Sequence, residues 1–326
     1  MEILIIGGTR FVGRHLVEAA VKRGHELTLF HRGKTNPGLF SEVDEVFGDR
    51  LEDIEQLHGQ WDVAVDTCGY FPRAVRLAAE HLRDRVDRYF FVSTIAVYRD
   101  LSRRGVDETA YLKTLEDPDL EEVNSSTYGP LKTECEGVVT GIFDHRHFIV
   151  RPGVIAGPAD PTDRFTYWVR RVADGGEVLA PGRPKADIQV IDVRDLADWI
   201  VDSIEEGRIG IYNATGRRRR FEAMLDACRR AADSDASFTW IPAAFLHRMG
   251  IDRDQKMPLF NHEADGRKAG LYGVDSSKAR RHGLKLRPLE ETAKSILSWL
   301  ETEEIHDWNA GISRFQEQRV LREWGD

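Results

Sequence analysis

Residues 127–133 read TYGPLKT, which sets Tyr128 and Lys132 four positions apart. On a helix that spacing puts both side chains on one face, a turn apart. A phenol ionises near pH 10, too high to exchange protons well at neutrality. A neighbouring ammonium lowers that value toward the working range. Pro130 does not interrupt such a helix, because proline is tolerated in a first turn, and Ser126 or Thr127 is a suitable N-cap. Upstream, the apolar run in DRYFFVSTIAVY ends in Ser93 and Thr94. A hydroxyl at the end of a parallel strand can donate to a carbonyl oxygen as negative charge builds on it during hydride transfer.

A second cluster, IGGTRFVGR at 6–14, follows the apolar stretch at the N-terminus. Gly7, Gly8 and Gly13 fall where a tight turn, a close phosphate approach and close helix–strand packing each require a missing side chain. The turn Gly7-Gly8-Thr9-Arg10-Phe11-Val12-Gly13 would place a dinucleotide pyrophosphate on the N-terminus of a helix beginning near Phe11, where free N–H groups and the dipole favour anions. The middle glycine of the usual pattern is replaced by Arg10. NAD-binding chains carry an acid at the end of the second strand to bond the ribose 2′-OH. This chain has LTLFHRGKT there, with His31, Arg32 and Lys34 and no acid. A carboxylate would repel a 2′-phosphate, whereas guanidinium forks hold it by charge-assisted hydrogen bonds. Arg10 and Arg32 together point to NADP(H), with NAD possible.

These residues need a scaffold, and the hydrophobic pattern supplies one. Strands are expected at 2–6, 27–31, 44–47, 62–66, 88–93 and 147–151, alternating with helical stretches such as RFVGRHLVEAAVKRG. Such alternation implies right-handed crossovers and an α/β, Rossmann-like, doubly wound parallel sheet. After residue 151 the pattern loosens into a Pro/Gly loop, a helix at 163–174, a further Gly/Pro loop, a strand near 188–191, a helix at 195–206 and a strand at 210–213. From 221 the elements read as mostly helical. The expected organisation is a dinucleotide-binding domain of residues 1–160 and 188–215, a smaller substrate-binding cap of 161–187 and 216–302, and a tail, 303–326, that forms a peripheral helix or an oligomer contact.

Bulk properties exclude several classes. With 326 residues, 41% hydrophobic and 31% charged, the chain reads as an ordinary globular protein. A formal net charge of −9 argues against broad binding to nucleic acid or anionic membrane. No run approaches the roughly 20 apolar residues of a membrane span, and no basic-then-apolar leader opens the chain. Three widely separated cysteines fit a reducing cytoplasm rather than a disulfide framework or a cysteine zinc cluster. The eleven histidines form no H-x-x-x-H or H-E-x-x-H array, and Asp144, His145 and His147 read as a solvated turn, so no metal is expected.

GGTRFVG, DTCGY, FVSTIAVY, YGPLK, RPGVIAGP and IDVRDLADWI occur in this order over residues 1–215. With them the chain resembles an extended, or atypical, member of the short-chain dehydrogenase/reductase superfamily, in the NAD-dependent epimerase/dehydratase group. The resemblance implies a catalytic triad of Thr94, Tyr128 and Lys132. It also implies that Lys132 holds the nicotinamide ribose and that Asp49 approaches the adenine. Cys68, Gly69, Pro152, Gly153 and Val154 would line the dinucleotide with Ser93, and a homodimer would form through the helix carrying Tyr128 and its neighbour. The GGTRF variant is also similar to the chloroplast stem-loop RNA-binding proteins, which share this fold. Two departures stand out. Ile95 and Ala96 occupy the positions where dehydratases carry an Asp-Glu pair, so elimination is not expected. Ile188 falls where sugar-nucleotide epimerases place a diphosphate-clamping arginine, although Arg183 and Lys185 lie nearby.

For the substrate, DPTDRFTYWVRR offers Arg164, Phe165 and Trp168, with Gln189 and Arg194 as further polar anchors. GRRRRF at 216–221 reads as a solvated basic face. The chain is therefore expected to be an NADP(H)-dependent oxidoreductase acting on a small-molecule carbonyl or secondary alcohol. An epimerase of a sugar or sugar nucleotide is the alternative on the same residues, and an RNA-binding protein on the same fold is the alternative of another class.

Overall fold

The first strand, β1 (Glu2–Ile6), alternates its side chains between two buried faces, Ile3 and Ile5 on one and Leu4 and Ile6 on the other. A strand buried on both sides must sit in the middle of a parallel sheet. In the computed structural model, which describes residues 1–117, 119–251, 256–260, 269–302 and 307–325, it does. It pairs with β2 (Glu26–His31), which pairs with β3 (Asp44–Phe47), and on its other side with β4 (Trp61–Asp66). Beyond β4 lie β5 (Val86–Val92) and β6 (His147–Pro152). After β7 (Val154–Ala156), β8 (Glu177–Pro181), β9 (Asp187–Ile188) and β10 (Val190–Asp192), the strand β11 (Gly210–Ala214) closes the sheet against β6. The order is β11-β6-β5-β4-β1-β2-β3, parallel throughout. The strand order reverses between β1 and β4, so the carboxyl ends of these two strands open the crevice where such sheets bind ligands.

Four helices cover the two faces. The connection β1 to β2 is α1 (Val12–Lys22) and β4 to β5 is α2 (Pro72–Leu82). α3 (Tyr128–Phe143) precedes β6 and, after α4 (Arg164–Ala173), α5 (Val193–Glu205) precedes β11. Leu16 and Val17 of α1 share a core with Leu196 and Trp199 of α5 on the Ile3/Ile5 face; Val75 and Ala78 of α2 meet Val138 and Val139 of α3 on the opposite face.

The predicted strand near 188–191 is split into β9 and β10 around Gln189. β10 pairs with β7, and β9 pairs with the short β12 (Arg219–Arg220). The cap core gathers α4, β8, α6 (Phe221–Ala232), α7 (Ala243–Arg248) and α9 (Leu289–Leu300). It also contains β13 (Ser237–Ile241), parallel to β8, in a region the sequence reads as helical. SFTWI is the β-prone stretch there, and only its pairing with β8 makes it a strand. The short helix α8 (Ser277–Arg281) packs on the sheet side through Ala279. The tail helix α10 (Arg314–Gly325) is docked into the cap: Glu317 is buried, pairs with the Arg171 guanidinium at 2.6 Å and accepts from the Leu179 N–H at 3.0 Å.

Candidate functional site

The turn after β1 is folded by its glycines. Gly7 and Gly8 adopt φ values of +102° and +98°, a region open at little cost only to glycine. A Cβ on Gly13 would lie 2.8 Å from the Gly8 nitrogen and 2.9 Å from its Cα, so α1 reaches the turn only because that atom is missing. The resulting cleft of about 570 Å³ at the switch point is lined by Gly7, Gly8, Thr9, Arg10, Phe11, Val12 and Gly13. His31, Arg32 and Lys34 border it from the end of β2, Asp49 from the loop after β3, and Cys68 from the loop after β4. The cradle without Cβ atoms, backed by a helix N-terminus, fits a dinucleotide pyrophosphate.

The cationic rim divides in two. Arg32 and Lys34 are exposed beside the β2 end, and Asn36 ties their loop to the turn by donating to the Thr9 carbonyl at 3.0 Å. Arg10 is exposed on the glycine turn, and its charge reaches the Tyr70 phenol. His31 lies deeper: its Nδ1 accepts from the Gly33 N–H, its Nε2 faces Glu45 at 3.4 Å, and its ring stands edge-on to Phe47. It shapes the rim from beneath.

Tyr128 opens α3. The cap is set by Asn124, whose side-chain oxygen accepts from the Ser126 and Thr127 N–H groups and whose carbonyl accepts from the Tyr128 N–H. Thr94 ends the loop from β5, and its Oγ1 accepts from the Ala96 N–H at 3.1 Å. The Thr94 hydroxyl lies close enough to the Tyr128 phenol to favour its ionised form. Lys132 is buried, 3% exposed, and its ammonium donates to the Gly69 carbonyl at 2.6 Å and the Val92 carbonyl at 2.8 Å, with the Phe91 ring 3.9 Å away. It pins the loop after β4 to the end of β5.

The electrostatics correct one expectation. The spacing predicts a Tyr128 phenol lowered by Lys132, yet the phenol is pushed up to about 12. Burial is the main cause and the neighbouring Tyr70 adds to it, while the Thr94 hydroxyl and the Arg164 charge offset part. The Lys132 ammonium is spent on backbone carbonyls, and burial pulls its own value down. Tyr70, whose ring lies 6.4 Å from that of Tyr128, lines the cleft and links it to Tyr128.

Other predicted residues are placed elsewhere. Ser93 is buried and donates to Glu136 at 2.5 Å; Glu136 holds Arg151 in a buried ion pair, and Arg151 donates to the Tyr98 hydroxyl. The Gly69 carbonyl serves Lys132, and a Cβ there would strike Val75, Phe91 and Asp66. Pro152 ends β6, Gly153 donates to the Ala214 carbonyl and Val154 begins β7, all outside the cleft lining.

On the substrate side, Phe165 and Trp168 are fully buried in the cap core, and the Trp168 indole N–H donates to the Pro258 carbonyl. They hold this core together. Arg194 pairs with Asp192 and donates to Ser295, joining α5 to α9. Gln189 is buried and donates to the Val274 carbonyl. Of this set Arg164 is half-buried, and its charge acts on Tyr128.

Sequence reasoning missed Arg50, Tyr70 and Pro161, which also line the cleft. Arg50 forms a two-pronged pair with the fully buried Asp66 at the end of β4, and Tyr89 donates to the same carboxylate. An acid closing the apolar run Val63–Ala64–Val65 of β4 was the available signal for a buried partner.

Comparison with known proteins agrees with this geometry. The profile of the family described as "NAD dependent epimerase/dehydratase family" matches residues 3–69 and 70–214. The fold is shared with UDP-glucose 4-epimerase from Bifidobacterium longum, solved with NAD+ and UDP (TM-score 0.66, 17% identity, 93% of this chain and 98% of that one). It is shared equally with UDP-N-acetylglucosamine 4-epimerase from Bacillus cereus (TM-score 0.66, 16% identity, 93% and 100%). In sequence the chain is 28% identical over 250 residues to the chloroplast stem-loop binding protein of 41 kDa b from Arabidopsis thaliana, a match covering 71% of this chain and 63% of the plant protein. No helix among the described residues is long and apolar enough to cross a membrane.

Proposed function

For a chain that belongs to the NAD dependent epimerase/dehydratase family, we propose an NADP(H)-dependent enzyme acting on a carbonyl or secondary alcohol of a small substrate, with Thr94, Tyr128 and Lys132 as its catalytic residues. The observation that carries this reading is the half-buried Tyr128 phenol next to the Thr94 hydroxyl, beside Tyr70 at the edge of the glycine cleft. The bound dinucleotide would supply the hydride. Gly7, Gly8, Gly13 and the N-terminus of α1 would hold its pyrophosphate. Tyr128, neutral at working pH, is set to give its proton to a substrate oxygen in the reductive direction, and Thr94 is placed to orient that oxygen. Lys132 fixes the Gly69 and Val92 carbonyls and with them the two strand ends that frame the site.

The preference for NADP(H) rests on Arg32 and Lys34. Glu45, on the neighbouring strand, is turned to His31, with its carboxylate 3.4 Å from the ring Nε2. Arg10 sits on the turn with its charge reaching Tyr70, so Arg32 would be the main partner of a 2′-phosphate and Arg10 a lesser one. Affinities for NADPH and NADH, measured side by side by calorimetry, test this. A tenfold or greater preference, about 1.4 kcal/mol, that collapses in Arg32→Ala supports the assignment; equal affinities overturn it, and no binding of either nucleotide overturns the whole reading.

The shared fold with UDP-sugar epimerases over nearly their whole length favours a second reading, an epimerase on the same residues. An epimerase would consume no NADPH at steady state, whereas a reductase would. The plant relative's name raises RNA binding, which salt-sensitive retention of RNA without nucleotide binding would bring forward. The three free thiols fit a reducing compartment such as the cytoplasm.

A further inference from the structure

The basic run GRRRRF plays no part in the cleft, and the fold gives it a different setting. β12 lies antiparallel to β9, with Arg219 opposite Ile188 and Arg220 opposite Asp187. Ile188 is buried in the cap core, so by the alternation of a strand Asp187 faces the other side. Three guanidiniums converge on its carboxylate. Arg104 approaches to 2.5 Å, Arg218 lies 3.2 Å from both oxygens, and Arg220 lies 3.0 Å from one.

Arg104 comes from a distant stretch whose backbone is fixed. The Gly270 N–H donates to the Leu101 carbonyl and the Gly105 N–H to the Gly273 carbonyl, and a Cβ on Gly270 would lie 2.0 Å from the Arg103 oxygen. Among the described residues these three arginines pair with no acid other than Asp187. Their side chains remain 43–59% exposed, and Arg217 and Arg219 are exposed beside them. Three positive charges thus meet one negative charge at the surface of a chain whose overall balance is −9. Each guanidinium carries five N–H donors in a rigid fork, and one carboxylate cannot occupy all of them. The like charges it assembles leave room for a second anion.

We propose that Arg104, Arg218 and Arg220, organised by Asp187, form a binding site for phosphate groups, separate from the dinucleotide cleft. Asp187 is the hub that orients the forks, and the outward N–H groups would take the phosphate oxygens by charge-assisted hydrogen bonds. The phosphate could belong to a free phosphorylated molecule or to the backbone of an RNA strand, and the two are separable. Wild type, Arg218→Glu/Arg220→Glu and the milder Arg218→Gln/Arg220→Gln are titrated with inorganic pyrophosphate by calorimetry and with a labelled RNA of about 12 nucleotides by anisotropy. The reading is the loss between wild type and variants, so binding at the glycine turn, present in all three, cancels. We expect at least one probe to bind wild type and to lose tenfold or more in affinity in both variants, with NADPH affinity unchanged. A loss confined to pyrophosphate identifies a free phosphorylated ligand. A loss on RNA, with log K falling against log salt with a slope of about −2 or steeper, identifies a phosphodiester backbone held at three or more phosphates. If neither probe binds, or if binding to the Gln variant equals that of wild type, the cluster is an ion-pair clasp and the proposal is wrong.

Discussion

The raised Tyr128 phenol has a consequence for stability that can be measured without knowing the substrate. In the unfolded chain the phenol ionises near 10, and in the folded protein near 12. Below about pH 10 it is neutral in both states and contributes no pH dependence. Above that, the unfolded state releases its proton while the folded state retains it, so stability falls as pH rises. A two-unit difference corresponds to about 2.7 kcal/mol, with about 1.4 kcal/mol lost by pH 11 and the full amount beyond pH 12. Tyr128→Phe removes the ionisable oxygen and keeps the ring. Denaturant unfolding of wild type and variant across this range should give a difference that is flat below pH 10 and then moves against wild type by those amounts. Tyrosinate absorbance, taken as wild type minus variant, should show the missing residue titrating near 12. A Tyr128 that titrates at or below 10, with a flat stability difference, would refute the claim that burial outweighs the Lys132 charge.

Other outcomes follow from the same geometry. In the reductive direction activity should be insensitive to pH between about 6 and 9, because the proton donor stays protonated, whereas the oxidative rate should climb about tenfold per unit; the opposite pattern in a pH–rate profile removes Tyr128 as the acid. Lys132→Met leaves two buried carbonyls unpaired and should destabilise the fold by about 2–4 kcal/mol by denaturant melts, with loss of activity. Gly13→Ala should abolish nucleotide binding in a fluorescence titration, since its Cβ would overlap the Gly8 backbone. Glu317→Gln strands the buried Arg171 charge and should cost about 3–5 kcal/mol; a melting temperature equal to wild type would show that α10 is not needed by the cap.

How far the sequence carries depends on whether a property is periodic or spatial. Period-two and helical patterns fixed the strands and crossovers of the first half, because each strand of a parallel sheet must bury both faces and each crossover one. The glycine turn was equally legible, since positive φ and a close helix approach exclude other residue types. The four-residue spacing of Tyr128 and Lys132 also gave their common face. Periodicity could not say what that face meets. Lys132 turns to the carbonyls of Gly69, in the loop after β4, and of Val92 in β5, and Tyr70 arrives from a loop more than fifty residues away in the chain, so the balance of charge and burial on Tyr128 existed only once the chain had folded. For the same reason the sequence could not show that Phe165 and Trp168 are buried in the core or that Arg194 joins two helices. β13 became a strand by pairing with β8, and two of four consecutive arginines, Arg218 and Arg220, joined Arg104 around one carboxylate through the pairing of β12 with β9. Local rules determine which elements form and which residue types can occupy a turn. Contacts between distant segments decide which side chains share a dielectric, and with it which of them can do chemistry.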